Sequence, residues 1–185
     1  RSTQSRSSAA SVVYKRQLVA YTAPFVLLGW GTLLVVSPSP SGFVEADPLC
    51  ALARGVGQIF LLDQPLAGLL IIVGMFIANP YAALWAVIGS AIGGGVALLA
   101  DQTQAAWLGL YGFNAALAGL AFSRQGERPW VTVLAIMIAI AVQGSASNLD
   151  LPLLTAPFVV ACWALAAVMA KLKRHRLRQD LPLGS

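Results

Sequence analysis

The pentapeptide TAPFV stands at 22–26 and again at 155–159, each copy followed at the same distance by a tryptophan, Trp30 and Trp163. Threonine supplies a hydroxyl, and proline removes a backbone N–H. Each copy therefore gathers polar groups at the head of a long apolar run. Two arrangements are open. A helix that runs through the proline leaves the carbonyl of Ala20, or of Leu153, without its donor. A helix that starts at the motif is capped by Thr22 or by Thr155. In lipid either one needs a partner, because an unmet polar group there costs several kcal/mol.

A second stretch with chemical capacity is RGVGQIFLLDQPLAG at 54–68. Gly55 and Gly57 permit close backbone approach. Gln58 carries an amide donor and an amide acceptor into apolar surroundings, and both need partners. Those partners are a neighbouring helix or a guest. Asp63, next to Pro65, reads as an interfacial turn residue. A third stretch is WLGLYGFNAALAGLAFS at 107–123. Phe113 and Leu117 lie four residues apart and share a helix face. Asn114 is polar in an apolar run and needs partners, while Gly109, Gly112 and Gly119 mark tight packing. The run GSAIGGG at 89–95 follows no strand, so it reads as small-residue helix packing and not as a phosphate loop.

Other chemistries are poorly provided for. Cys50 and Cys162 form no metal or redox motif, and the one histidine, His175, sits in a basic tail without a catalytic partner. No cofactor or metal and no enzyme activity is expected. The net charge of +5 comes from Lys and Arg that flank apolar runs: Lys15 and Arg16, Arg124 and Arg128, and the cluster Lys171, Lys173, Arg174, Arg176 and Arg178. No aromatic residues interleave with them, so nucleic acid is not an expected partner.

The elements that must position these residues are helices in a bilayer. The chain is 58% hydrophobic and 10% charged, against about 25% charged in soluble domains. Six apolar segments stand out, at about 17–36, 64–78, 80–100, 103–123, 129–148 and 152–170. About 20 apolar residues cross a bilayer core, so the expected fold is an all-α, multi-pass membrane protein. The segment 49–62 is shorter and more polar, suited to a half-helix or re-entrant element, and 103–123 begins with DQTQ and is open to the same reading. Asn79 and Pro80 divide two segments, and SPSPSG at 37–42 is a break. Residues 1–16 read as a disordered basic tail, 17–170 as the membrane domain and 171–185 as a basic cytoplasmic tail.

With the amino-terminus inside, six crossings place the Arg124–Arg128 loop and the basic tail inside as well. The outer connections then hold Arg54 as their sole cation beside Glu45, Asp47, Asp63, Asp101 and Asp150. Five crossings follow the first TAPFV segment, so the second copy points the opposite way. Equivalent helices in opposed orientation are the mark of an inverted-repeat fold, with a site between the repeats.

Taken in order, GVGQ…DQPLAG, GLYGFNAALAG and LPLLTAPF resemble the urea transporter family. The resemblance covers about 18–36 and 49–170, as the end of a first repeat and a whole second repeat, so the chain resembles a shortened member. It implies passive, channel-like urea movement across a bacterial inner membrane, in a homotrimer embedded in lipid. It also implies roles. Gln58 matches the polar pore residue, Thr22 and Thr155 the hydroxyl ligands, and Phe113 and Leu117 the residues flanking a narrow slot. Ile59 and Leu61 are expected in the apolar wall near Gln58. By the family's cross-pairing, Thr22 shares a site with Gln58, and the glutamine partner of Thr155 is missing. Other outcomes are a non-conducting partial protein that needs a complementary repeat, or a pore for an amide, ammonia or water.

Overall fold

The computed structural model describes residues 22–33, 35, 46–123, 129–146 and 153–179. The amino-terminal tail, the 37–42 break and the Arg124–Arg128 loop lie outside the described residues. Within them are eight α-helices and no strand. In order these are α1 (Ala23–Leu33), α2 (Pro48–Gly57), α3 (Pro65–Ala78), α4 (Pro80–Leu99), α5 (Thr103–Trp107), α6 (Leu110–Ser123), α7 (Pro129–Ser145) and α8 (Ala156–Gln179), with a 3-10 turn at Gln58–Phe60.

Prolines mark the helix starts. Pro48, Pro65, Pro80 and Pro129 each open a helix, where the missing N–H would have had no intrahelical acceptor anyway. Side-chain caps fix two of these starts. Asp47 accepts from the Leu49 N–H at 3.0 Å, and Asn79 accepts from the Ala82 N–H at 3.1 Å. The division at Asn79 and Pro80 thus falls where the sequence puts it.

The segment 103–123 is two helices. Gly109 lies between α5 and α6 with φ +75, and a side chain there would sit 2.6 Å from the Gly55 nitrogen. The break exists because α2 presses against this point. The segment 49–62 is α2 plus the 3-10 turn, and it meets α3 at a bend of 73°. Leu61 turns the chain there with φ 59. The segment 152–170 begins later and runs longer than expected, since α8 continues through the basic stretch to Gln179.

Among the described residues α4, with 20 residues, is the one helix long and apolar enough to cross a bilayer unaided. The bent pair α2–α3 passes the same measure only when taken together, and the remaining long apolar helices offer 10–17 residues each.

Small residues form the interior and large ones the outside. Gly89 and Gly93, one turn apart on α4, lie against the backbone of Ala115 and Tyr111 on α6, which makes α4–α6 the most extensive helix contact. Ala86, Ala115, Ala116, Ala118, Ala135 and Ala139 are fully buried. In contrast, Leu66, Leu69, Leu70 and Ile77 on α3 are exposed. Close approach through small residues, with leucines turned outward, is how helices pack when the surroundings are as apolar as the side chains.

Candidate functional site

Both TAPFV copies sit at helix starts. The Thr22 and Thr155 carbonyls accept from Val26 and Val159 at 3.1 and 3.0 Å, so α1 and α8 open at their motifs and the prolines occupy the second helical position. The two threonine hydroxyls are 2.8 Å apart and hydrogen-bonded to each other. Neither caps its own helix in the usual way. At α8 the reason is plain: the second helical residue is Pro157, without an N–H, and the third amide, of Phe158, donates to Asn114 Oδ1 at 3.2 Å. Asn114 on α6 therefore serves as the cap and leaves the Thr155 hydroxyl free to face α1.

Asn114 is fully buried and fully occupied. Its Nδ2 donates to the Leu154 carbonyl and to Gln143 Oε1 on α7, both at 3.0 Å. The asparagine that needed partners has them on α7 and α8, and so locks the three helices together.

A cavity of about 150 Å³ opens at this junction. Thr155, Leu153 and Leu154 line it from the head of α8, Phe113 and Leu110 from α6, and Gln143 from α7. Phe25 of α1, Gln58 of the 3-10 turn and Leu61 of the bend close the remaining side. Among the described residues no charged side chain lines it. Leu61 and Leu154 both hold left-handed backbone, φ 59 and φ 49. Such conformations cost branched side chains about 1–3 kcal/mol and tend to gather at functional sites.

Arg54 and Gln58 secure the wall. The Arg54 guanidinium donates to the Asp63 carbonyl at 3.1 Å and to the Trp107 carbonyl at 3.3 Å. One cation thereby joins the α2–α3 bend to the α5–α6 break. Gln58 Nε2 makes a long 3.5 Å approach to the Leu108 carbonyl. Its amide oxygen takes no hydrogen bond among the described residues.

Of the residues singled out from sequence, Gln58, Leu61, Phe113 and Thr155 share this cavity, and Thr22 is tied to it through Thr155. Leu117 packs against the α6–α7–α8 core instead, and Ile59 is half-buried outside the lining. The expected cross-pairing gave Thr22 to Gln58 and left Thr155 without a glutamine; here Gln58 and Thr155 line one cavity, and Thr22 reaches it through Thr155. The starts of α1 and α8 meet, so both threonines belong to one place. Gln143 and Phe25 were missed. Phe25 lay in a motif read only for its threonine and proline, and Gln143 sat near the end of an apolar run where polar residues are ordinary. The signal that could have found Gln143 was the unmet demand of Asn114.

A family model described as urea transporter matches residues 49–182. The chain belongs to the urea transporter family. Membership implies a membrane protein, and the matched region holds every lining residue of the cavity except Phe25. Curated urea transporter relatives agree. Urea transporter 1 of mouse (Mus musculus) is 32% identical over 120 residues, covering 58% of this chain and 31% of the mouse protein. Urea transporter 1 of sheep (Ovis aries) is 33% identical over 120 residues with the same coverage. The chain thus spans about a third of the length of the curated relatives it matches.

Proposed function

We propose that this chain provides a passive, channel-like path for urea down its gradient, in a bacterial inner membrane and without a cofactor. The observation that carries the reading is the cavity that Gln58 and Thr155 line together with Phe25 and Phe113, with no charged side chain among its described lining residues. Urea is flat, neutral and rich in donors and acceptors. Its lost water must be replaced by hydrogen bonds, which an amide and a hydroxyl supply, while apolar walls give nothing to a hydrated ion. Two helix starts also point at the site, and their partial positive charge suits a carbonyl oxygen and repels cations.

Inverted repeats with six crossings belong to the same proposal. In support, Gly29, two turns into α1, lies against the side chain of Leu154, which precedes α8. That contact fits a first helix directed away from α8 beyond the shared threonine pair, as opposed repeats would have it. The turned-out leucines of α3 suit lipid or further copies of the chain, and a homotrimer is the proposed assembly.

Stopped-flow urea flux in proteoliposomes tests the reading, with Gln58→Leu as the comparison. Flux well above protein-free liposomes, sharply lowered by the substitution while insertion is intact, is the expected result. Because the chain spans 31% of its relatives, one rival has a specific ground: a chain that conducts only beside a complementary repeat. Background flux from a correctly inserted chain, with blue-native sizing, supports that rival. Equal passage of methylated ureas, formamide or water instead points to a less selective pore.

A further inference from the structure

We infer that Gln143 is a specificity-determining residue of this site: its side-chain NH₂ is the hydrogen-bond donor for the carbonyl oxygen of the solute. The inference rests on the proposal that the cavity takes a small neutral amide.

Its orientation follows from backbone groups alone. The Phe158 N–H can bond only to an acceptor, so Asn114 turns Oδ1 toward it. The Leu154 carbonyl can bond only to a donor, so Asn114 turns Nδ2 toward it. With Asn114 fixed at both ends, the second Nδ2 hydrogen faces Gln143, and Gln143 must meet it with Oε1, at 3.0 Å. Its NH₂ group is thereby directed away from Asn114.

Among the described residues that group has nothing else to bond. Gln143 is 8% exposed, and its nitrogen has no hydrogen-bond partner among the described residues. Among them the one polar side-chain atom both sealed and unpartnered is Trp85 Nε1. The Gln143 nitrogen therefore keeps open surface, and the space it borders is the cavity it lines. A buried donor pair with no acceptor among the described residues suits an acceptor from a guest. Thr155 and Gln58 each offer both donor and acceptor character. Gln143, with its oxygen turned to Asn114, presents its NH₂ donors to the cavity. It thus selects for a carbonyl and against a planar cation of the same shape, such as guanidinium, which has no acceptor to give.

The test follows the Gln143 side-chain amide by ¹⁵N–¹H NMR in the full chain in detergent. The signal pair is assigned by its loss in Gln143→Glu or, where that variant does not fold, in Gln143→Met. Urea, acetamide and guanidinium are the probes, and the exposed Gln102 reports general solvent effects. The expected result is a saturable shift with urea and acetamide that guanidinium does not produce. A Gln143 shift no larger than that of Gln102, or one equal with guanidinium, overturns the inference. In liposomes, Gln143→Glu keeps the acceptor for Asn114 and is expected to lower urea flux about threefold to tenfold, the loss of one ordinary hydrogen bond. The two readings fail separately. Shift without flux removes the channel and keeps the site, and flux without shift keeps the channel and removes the donor.

Discussion

The hydroxyl of Thr22 lies 2.8 Å from that of Thr155, across 133 residues of chain. Both belong to the residue just ahead of a helix, so two positive helix ends converge on one hydrogen bond. Two linked hydroxyls share one proton between them. The pair still has a second proton to give and lone pairs to receive, which makes it one bifunctional group built from two distant residues.

Threonine-to-valine changes should therefore behave as a unit. Thr22→Val and Thr155→Val are each expected to cut urea flux about threefold to tenfold, the scale of one hydrogen bond. The double variant is expected to fall no further than the more damaging single one, since either change already breaks the pair. Stopped-flow flux on the three variants checks this, and simple multiplication of the two effects would show that the hydroxyls act separately.

Asn114 should dominate stability. Asn114→Leu strands the Phe158 N–H, the Leu154 carbonyl and the Gln143 oxygen, and each stranded buried group costs about 1–3 kcal/mol. Asn114→Asp is expected to be worse than its similar shape suggests, because it turns an acceptor toward the Leu154 carbonyl. Ser145→Ala, at an exposed residue bonded only within its own helix, should stay within about 0.5 kcal/mol of the parent. Thermal unfolding in detergent ranks the three.

Glycines of this chain divide into two kinds. At Gly109 a methyl group meets left-handed backbone and the Gly55 nitrogen at once, so Gly109→Ala is expected to cost about 3 kcal/mol or more and to lower expression. Around Gly95, by contrast, a methyl group meets nothing within 4 Å. Gly95→Ala should stabilise α4 by about 0.5–1 kcal/mol through helix propensity. Unfolding midpoints of the two variants should move in opposite directions.

The start of α2 should be sensitive to acid. Asp47 lies ahead of the helix. A hydrogen bond from the Cys50 side chain, then one from the Leu49 N–H, holds its carboxyl below the ordinary value of 3.8. A lowered folded value means that the stabilisation is fully present above the ordinary value and is lost as pH falls through the lower one. Asp47→Ala is expected to weaken α2 at neutral pH and to flatten the pH dependence below 3.8. Unfolding followed across that range for both chains measures the difference.

Much of the architecture was legible because helix starts carry chemical marks. Asn79 followed by Pro80 announced the join between α3 and α4, and α3 differs by one residue from its expected limits. The break at Gly109 was less legible. Hydropathy sums composition along a window and is blind to one residue with positive φ, whose cause is α2, half a hundred positions earlier. For the candidate site, the local pattern singled out Gln58 and Thr155 as polar groups in apolar runs, and the family resemblance added Phe113. Gln143 was not singled out, because its meaning lies in a chain of hydrogen bonds that passes through Asn114 to the backbone of α8. The merging of the two threonines was also hidden, since a repeat reveals kinship between helices and not where their ends meet.

The distance in sequence between Thr22 and Thr155 has a consequence for biogenesis. A ribosome that has released α1 leaves the Thr22 hydroxyl waiting without its mate through the synthesis of every intervening helix. The cavity closes only when the head of α8 emerges, after every other element that lines it, in one docking event.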